Sequence, residues 1–161
     1  MITNKQLIDG FSLNIRLIKL QTDGLNHADS LVQTPYKINC MNWVLGHIAV
    51  NRDSVIRLIG AVPLLSEGET LRYKTESDPI TEDGPDVLQL DKLLEVLSTG
   101  QIKIEGALDT LSEADLLGEI QVGERMMQLG TRLFGFYFHD TYHTGQTDLL
   151  RQVAGASDKV V

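Results

Sequence analysis

The sequence predicts an all-α four-helix bundle. Four segments of about 20 residues repeat apolar side chains at helical spacing. No stretch alternates apolar and polar residues as a half-buried strand would. Connections punctuated by Pro, Gly, Asn and Asp separate the segments. With 161 residues and 42% hydrophobic content, residues 1–161 suit one domain with a sizeable core.

Charge narrows the class of partner. The chain holds 14 Lys and Arg against 22 Asp and Glu, a net charge of −8. Phosphate binding needs clustered cations, so neither nucleic acid nor an anionic membrane is expected as a partner. No run approaches the roughly 20 apolar residues of a membrane span. No signal-peptide pattern opens the chain, because Asp9 and Gly10 interrupt any apolar run there. The single cysteine, Cys40, excludes an intramolecular disulfide and suits a reducing compartment, so a cytoplasmic location is expected.

The first helix is predicted over residues 3–22. Leu7, Phe11, Ile15 and Ile18 form its stripe, Thr3 or Asn4 caps it, and Gly24 follows its end. Residues 26–36 are polar and contain Pro35, so they read as a connection in which His27 is solvated. The second helix is predicted from about Met41 to Gly60, capped by Asn39 or Asn42. Its core stripe is Val44, Ile48, Val55 and Ile59. His47 lies beside that stripe, one turn after Trp43 and one turn before Asn51, where it could be a core residue or point into a cleft. Cys40 stands about 10 Å from His47 along a helix axis, too far for a shared ion. A helix N-terminus lowers a thiol pKa, but a quiet, partly buried thiol is the better reading of Cys40.

Residues 63–86 read as the longest irregular segment, acidic and punctuated by three prolines; a loop this long is often a functional lid, and it is expected to border the site. The third helix is predicted over about 89–111, with Leu90, Leu93, Leu94, Leu97, Ile104 and Leu108 apolar. Ser112-Glu113-Ala114-Asp115 reads as a turn or a short capping-box helix. Residues 118–126 are glycine-punctuated, with room for an extended piece. The fourth helix runs from about Gln128 to Ala154. The two long connections, 23–40 and 61–88, argue against a requirement for simple up-down-up-down order.

The fourth helix carries the chemistry. His139 and His143 are four residues apart, one turn along a single face, and with Phe136, Gln146 and Leu150 they share a stripe. Two such histidines can serve one transition metal, as in helical His-x-x-x-His zinc sites. They can also be interfacial residues hydrogen-bonded inside a bundle. A complete site needs a third ligand, for which His27, His47, Cys40 and the carboxylates are candidates. His139-Asp140-x-x-His143 is one methylene short of a metalloprotease motif, and no His or Glu follows His143 to complete such a site. A di-iron site needs paired Glu-x-x-His motifs, and the sequence contains none. Gly145 is expected to let a neighbouring helix approach.

Asn42-Trp43-Val44-Leu45-Gly46-His47-Ile48, followed some ninety residues later by His139-Asp140-Thr141-Tyr142-His143-Thr144-Gly145-Gln146, resembles the DinB/YfiT-like superfamily. That family carries a pattern close to W-x-x-G-H on its second helix and H-x-x-x-H-x-G-Q on its fourth. The likeness extends over the whole chain, including the long connection after the second helix and the Ser-Glu-x-Asp-Leu turn. It implies a DinB/YfiT-like bundle in which His47, His139 and His143 hold a divalent ion, most often zinc or nickel. Gln146, Asn51 and Asp140 become the candidates for orienting those ligands. Characterised relatives include transferases and isomerases that use low-molecular-weight thiols such as bacillithiol, mycothiol or glutathione.

The expected function is therefore a thiol S-transferase-like reaction on a small electrophile. A metal-dependent hydrolase and a non-catalytic, metal-stabilised interaction protein are the alternatives. Expected partners are a small-molecule substrate, a low-molecular-weight thiol and a second copy in a homodimer. Three ligands leave a coordination position open, and a bound ion lowers the pKa of a thiol or water there. No catalytic residue beyond the ligands is assigned.

Overall fold

A computed structural model describes residues 2–158. Four long helices form the bundle: α1 (Asn4–Thr22), α3 (Met41–Leu58), α5 (Leu90–Leu108) and α7 (Leu129–Val153). The described residues add three short helices, α2 (His27–Ser30), α4 (Glu67–Tyr73) and α6 (Glu113–Leu117), and one hairpin, β1 (Glu119–Val122) with β2 (Arg125–Gln128). The all-α bundle predicted from the sequence is the fold found.

Cross-helix contacts fix the directions. Gly10 faces the Tyr137 ring, Asn14 bonds Thr141, and Thr147 bonds Gln21, so α1 and α7 run parallel. Asn4 bonds the carbonyls of Leu108 and Leu111 while Gln101 bonds Ser12, so α5 is antiparallel to α1. Asn42 bonds the Leu88 carbonyl and Arg52 bonds Gln101, so α3 and α5 run parallel. The order is up-down-down-up. Parallel neighbours need a connection as long as the bundle, which is why 59–89 is so long.

That connection is a strap along the outside of α3. Asp53 accepts hydrogen bonds from the amides of Leu64 and Leu65, Tyr73 packs on Gly46, Trp43 donates to Ser77, and Cys40 lies against the Ile80 carbonyl. Each step down the strap is a step back up the helix. Residues 41–49 are consequently buried all round, with three helices behind them and the strap in front.

The strap was expected to be irregular, and it contains α4. Ser66 and Glu69 form a capping box at its start, with Glu69 accepting from the Ser66 amide at 2.7 Å. The connection 26–36 likewise contains one turn, α2, capped reciprocally by Asn26 and Asp29. Ser112 and Asp115 cap α6 as expected, and Thr3 caps α1. The cap expected of Asn39 or Asn42 on the second long helix is instead at Cys40, whose side chain makes no capping bond. Asn42 is occupied elsewhere, with Tyr73 and Leu88. The hairpin turns at Gly123-Glu124, where Gly123 takes a φ of 60° that a two-residue turn requires.

A polar layer divides the apolar core into two clusters. At its centre Arg52 and Asp140 form an ion pair at 2.7 Å, 2% and 1% exposed. Arg52 also donates to Gln101 at 2.7 Å and to the Phe11 carbonyl at 3.0 Å, and Asn14 donates to Asp140 at 3.1 Å. One residue group thus ties together all four long helices.

Candidate metal centre

His47 reaches the site because the strap holds it from behind. A Cβ at Gly46 would overlap the Tyr73 ring, so only glycine lets α4 come this close. Tyr73 is anchored at its far end too. Its hydroxyl donates to Asn42 at 2.9 Å and accepts from the Leu88 amide at 2.8 Å. Burial pushes its pKa up to about 12, so it remains a donor at neutral pH. The Tyr73 carbonyl then meets His47 Nδ1 at 2.9 Å. A carbonyl only accepts, so Nδ1 carries the proton and Nε2 presents a lone pair. Trp43 stacks flat on the imidazole, ring centroids 4.7 Å apart. The Trp43 indole is itself fixed by its 2.9 Å bond to Ser77.

On α7 the same logic applies to His143. Its Nδ1 lies 2.6 Å from Gln146 Oε1, an acceptor, so its Nε2 is also a lone-pair atom. His139 stands between the two, its Nε2 3.1 Å from that of His47 and 3.2 Å from that of His143. The ligand atoms of the three residues all lie within 4.8 Å of one another.

The donor chemistry fits a cation. His139 Nε2 could carry one proton, enough for one neighbour, which leaves another pair of nitrogens facing each other without a donor. A bound ion satisfies all three at once. Four-coordinate zinc holds nitrogens at about 2.0–2.1 Å, which sets them roughly 3.3 Å apart, and two of the separations here are 3.1 and 3.2 Å. The triad could therefore hold a metal ion. Burial lowers the pKa of all three histidines, that of His139 to about 4, with charge repulsion from His143 and His47 adding to the effect. Neutral imidazole is the form that binds metal.

The remaining candidates separate clearly. Gln146 contacts a ligand directly. Asn51 donates to the His47 carbonyl at 3.0 Å and reaches His47 Nε2 only at 3.4 Å. Asp140 bonds no histidine; its carboxylate is committed to Arg52 and Asn14. His27 is not solvated as expected but pairs with Asp83 at 3.1 Å, outside the triad. Cys40 is 1% exposed, and burial raises its thiol pKa despite bonds from the Trp43 and Asn42 amides. Gly145 meets nothing within 4 Å, so the packing role expected of it falls to Gly46.

Two residues of the site were not anticipated. Tyr73 lay in a segment read as loop, although Ser66-x-x-Glu69 announces a helix there. Arg52 occupies the apolar stripe of α3 between Ile48 and Val55, and a charge at such a position signals a buried partner.

No family model matches this chain, and no curated protein does. Among solved structures, the chain is similar to a conserved protein from Enterococcus faecalis, at 18% identity over 98% of this chain and 99% of that one, with a TM-score of 0.75. At that identity the likeness is one of fold.

Proposed function

We propose that this chain is a DinB/YfiT-like metal-dependent enzyme, with zinc or nickel held by His47, His139 and His143, that transfers a low-molecular-weight thiol to a small electrophile. One observation carries the reading: three Nε2 atoms converge, and two of them are fixed as lone-pair atoms by the Tyr73 carbonyl and Gln146. A divalent ion bound there supplies Lewis acidity, which lowers the pKa of a thiol or water.

The protein's own residues favour the thiol. The cluster contains no carboxylate, and the nearest in sequence, Asp140, is held by Arg52. Hydrolysis is commonly assisted by a base at the site that takes a proton from the attacking water. A thiol is far more acidic than water and gives up its proton to solvent without one. Its sulfur then forms a C–S bond while the leaving group departs with the bonding electron pair. Trp43 screens one face of His47, and Tyr73 and Gln146 keep the ligand nitrogens aimed inward.

The test is metal analysis of untagged protein, followed by assays pairing several thiols with several electrophiles. Each of His47→Ala, His139→Ala and His143→Ala should lose stoichiometric metal, since two ligands seldom hold a divalent ion, while His27→Ala should keep it. A requirement for His27 with His47 dispensable would assign the site to the wrong helices. Metal bound without thiol consumption would leave the site and remove the transferase.

A further inference from the structure

The groove that holds the three histidines continues beyond them. On α3, His47, Asn51 and Ser54 share one stripe, and on the antiparallel α7 so do His143, His139, Phe136 and Arg132. His47 meets His139, and further down Ser54 shares an open cavity of about 370 Å³ with Phe136 and Arg132. Arg57 completes its wall, and Gln121 and Val122 of β1 close its end. At 1.5 Å per residue, Phe136 lies about 5 Å along α7 from His139, and Ser54 about 10 Å along α3 from His47.

We propose that this cavity is the subsite for an oxyanion tail, a carboxylate or phosphate, on the thiol whose sulfur the metal ion binds, with Arg57 and Arg132 as its donors. The inference rests on the thiol reading of the metal centre and narrows the kind of thiol.

Charge points to an anion. The chain carries −8 overall, yet two arginines and no carboxylate line this cavity. Among the described residues neither guanidinium forms an ion pair, whereas Arg52, Arg72 and Arg151 each have a carboxylate within 3.1 Å. Arg57 stands in the last turn of α3, where a cation complements the helix dipole. Arg132 stands in the first turn of α7, the unfavourable end for a cation, and that turn holds no acidic residue to offset it. An anion between the two guanidiniums removes the conflict.

The donors are held ready. Arg132 Cζ lies 4.2 Å from the centroid of the Phe136 ring, which packs on the apolar core. Stacking uses the face of the guanidinium and leaves its N–H edge for a bidentate contact with an oxyanion. The neighbouring polar side chains are committed: Ser54 donates to the Val50 carbonyl at 3.1 Å, and Gln121 to the Gly123 carbonyl at 2.7 Å. Trp43, flat on His47, closes the groove on its other side. The body of a metal-bound thiol therefore runs past Asn51 towards the arginines.

One arm of the test needs no metal. In NMR spectra of the metal-free full chain, the side-chain Nε–H signals of Arg57 and Arg132 should shift saturably with hexanoate or hexyl phosphate and not with hexanol. The signal of Arg16, exposed on α1, should stay in place. No shift at Arg57 and Arg132, or an equal shift at Arg16, overturns the oxyanion site.

The other arm follows the thiolate-to-metal charge-transfer band of cobalt-loaded protein titrated with mercaptohexanoate or mercaptohexanol. The acid should bind roughly tenfold to a hundredfold more tightly, as expected of charge-assisted hydrogen bonds. Arg57→Gln and Arg132→Gln should each shrink that preference, and Arg16→Gln should keep it. Arg132→Lys retains the charge without the fork and should keep part of it. Circular dichroism confirms that each variant keeps its helices. Equal affinity for the two thiols, or a preference that survives both glutamine substitutions, overturns the proposal. Were cobalt bound but no thiolate band formed with either thiol, the thiol reading itself would fall, and the metal-free arm would still decide whether Arg57 and Arg132 hold an oxyanion.

Discussion

The two motif segments are built in opposite ways. Residues 42–48 on α3 are buried on every side, and four of the seven meet the strap: Asn42 and Gly46 receive Tyr73, Trp43 takes Ser77, and His47 is backed by a carbonyl. Residues 139–146 on α7 divide their work among three directions. His139, His143 and Gln146 face the centre, Asp140 and Thr144 face the bundle, and Tyr142 and Gly145 face solvent. One ligand is thus locked and two are carried on a helix with other duties. His139 has no partner at Nδ1, although that atom is buried. The difference teaches that spacing alone does not tell a ligand from its neighbours; the direction each residue takes around the helix does.

The comparison can be broken most forcefully at Asp140. Asp140→Ala leaves Arg52 buried without its counter-charge, and breaking such a pair costs about 3–5 kcal/mol. The loss should appear in urea unfolding of metal-free protein, and Arg52→Met added to it should recover part. Were Asp140 instead an orienting residue of the histidines, stability without metal would barely change and metal affinity would fall.

Gly46→Ala is the matching test on α3. Its Cβ would overlap the Tyr73 ring, which is pinned at its hydroxyl by Asn42 and Leu88, so the ring cannot swing aside. Overpacking of this kind costs about 1–3 kcal/mol. Because the same shift moves the Tyr73 carbonyl off His47, metal affinity should fall together with thermal stability. A variant that loses stability and keeps full affinity would show that the strap does not position His47.

How much of this was legible depends on whether a feature is periodic. The four long helices could be read because apolar side chains recur every three or four residues, and their ends lie within a few residues of those expected. The triad could be read because three histidines stand in two recognisable motifs. α4 could not be read in the same way. It is seven residues long, too short for a stripe, and only its capping box marks it. The role of Asp140 was misplaced because its position beside His139 suggested a shared task. Arg52, eighty-eight residues away, was the partner that decided the matter.

Acid separates the two segments by a smaller effect. From an unperturbed imidazole, metal binding is expected to weaken as pH falls through roughly 6. Burial lowers the pKa of all three ligands, so protons compete less and the loss should move to lower pH. The stability of the metal-free protein moves the opposite way from a salt-bridged histidine. The unfolded chain takes up protons near 6.5 and folded His139 only near 4, so stability present above about 6.5 falls away as pH drops towards 4. Metal titrations at a series of pH values check the first point, and urea midpoints the second. A binding midpoint at 6.5 would mean that the triad is open to solvent and not desolvated.

The smallest effect expected is at Gly145, the counterpart of Gly46 on the other motif. A Cβ at Gly46 has no room, while one at Gly145 has open space and an ordinary helical backbone. Alanine should therefore stabilise α7 by about 0.5–1 kcal/mol, the usual cost of glycine inside a helix. Urea midpoints of Gly145→Ala against the wild-type chain read that gain. A loss would mean that some part of the bundle already occupies the space beside Gly145, and the contrast between the two glycines would be gone.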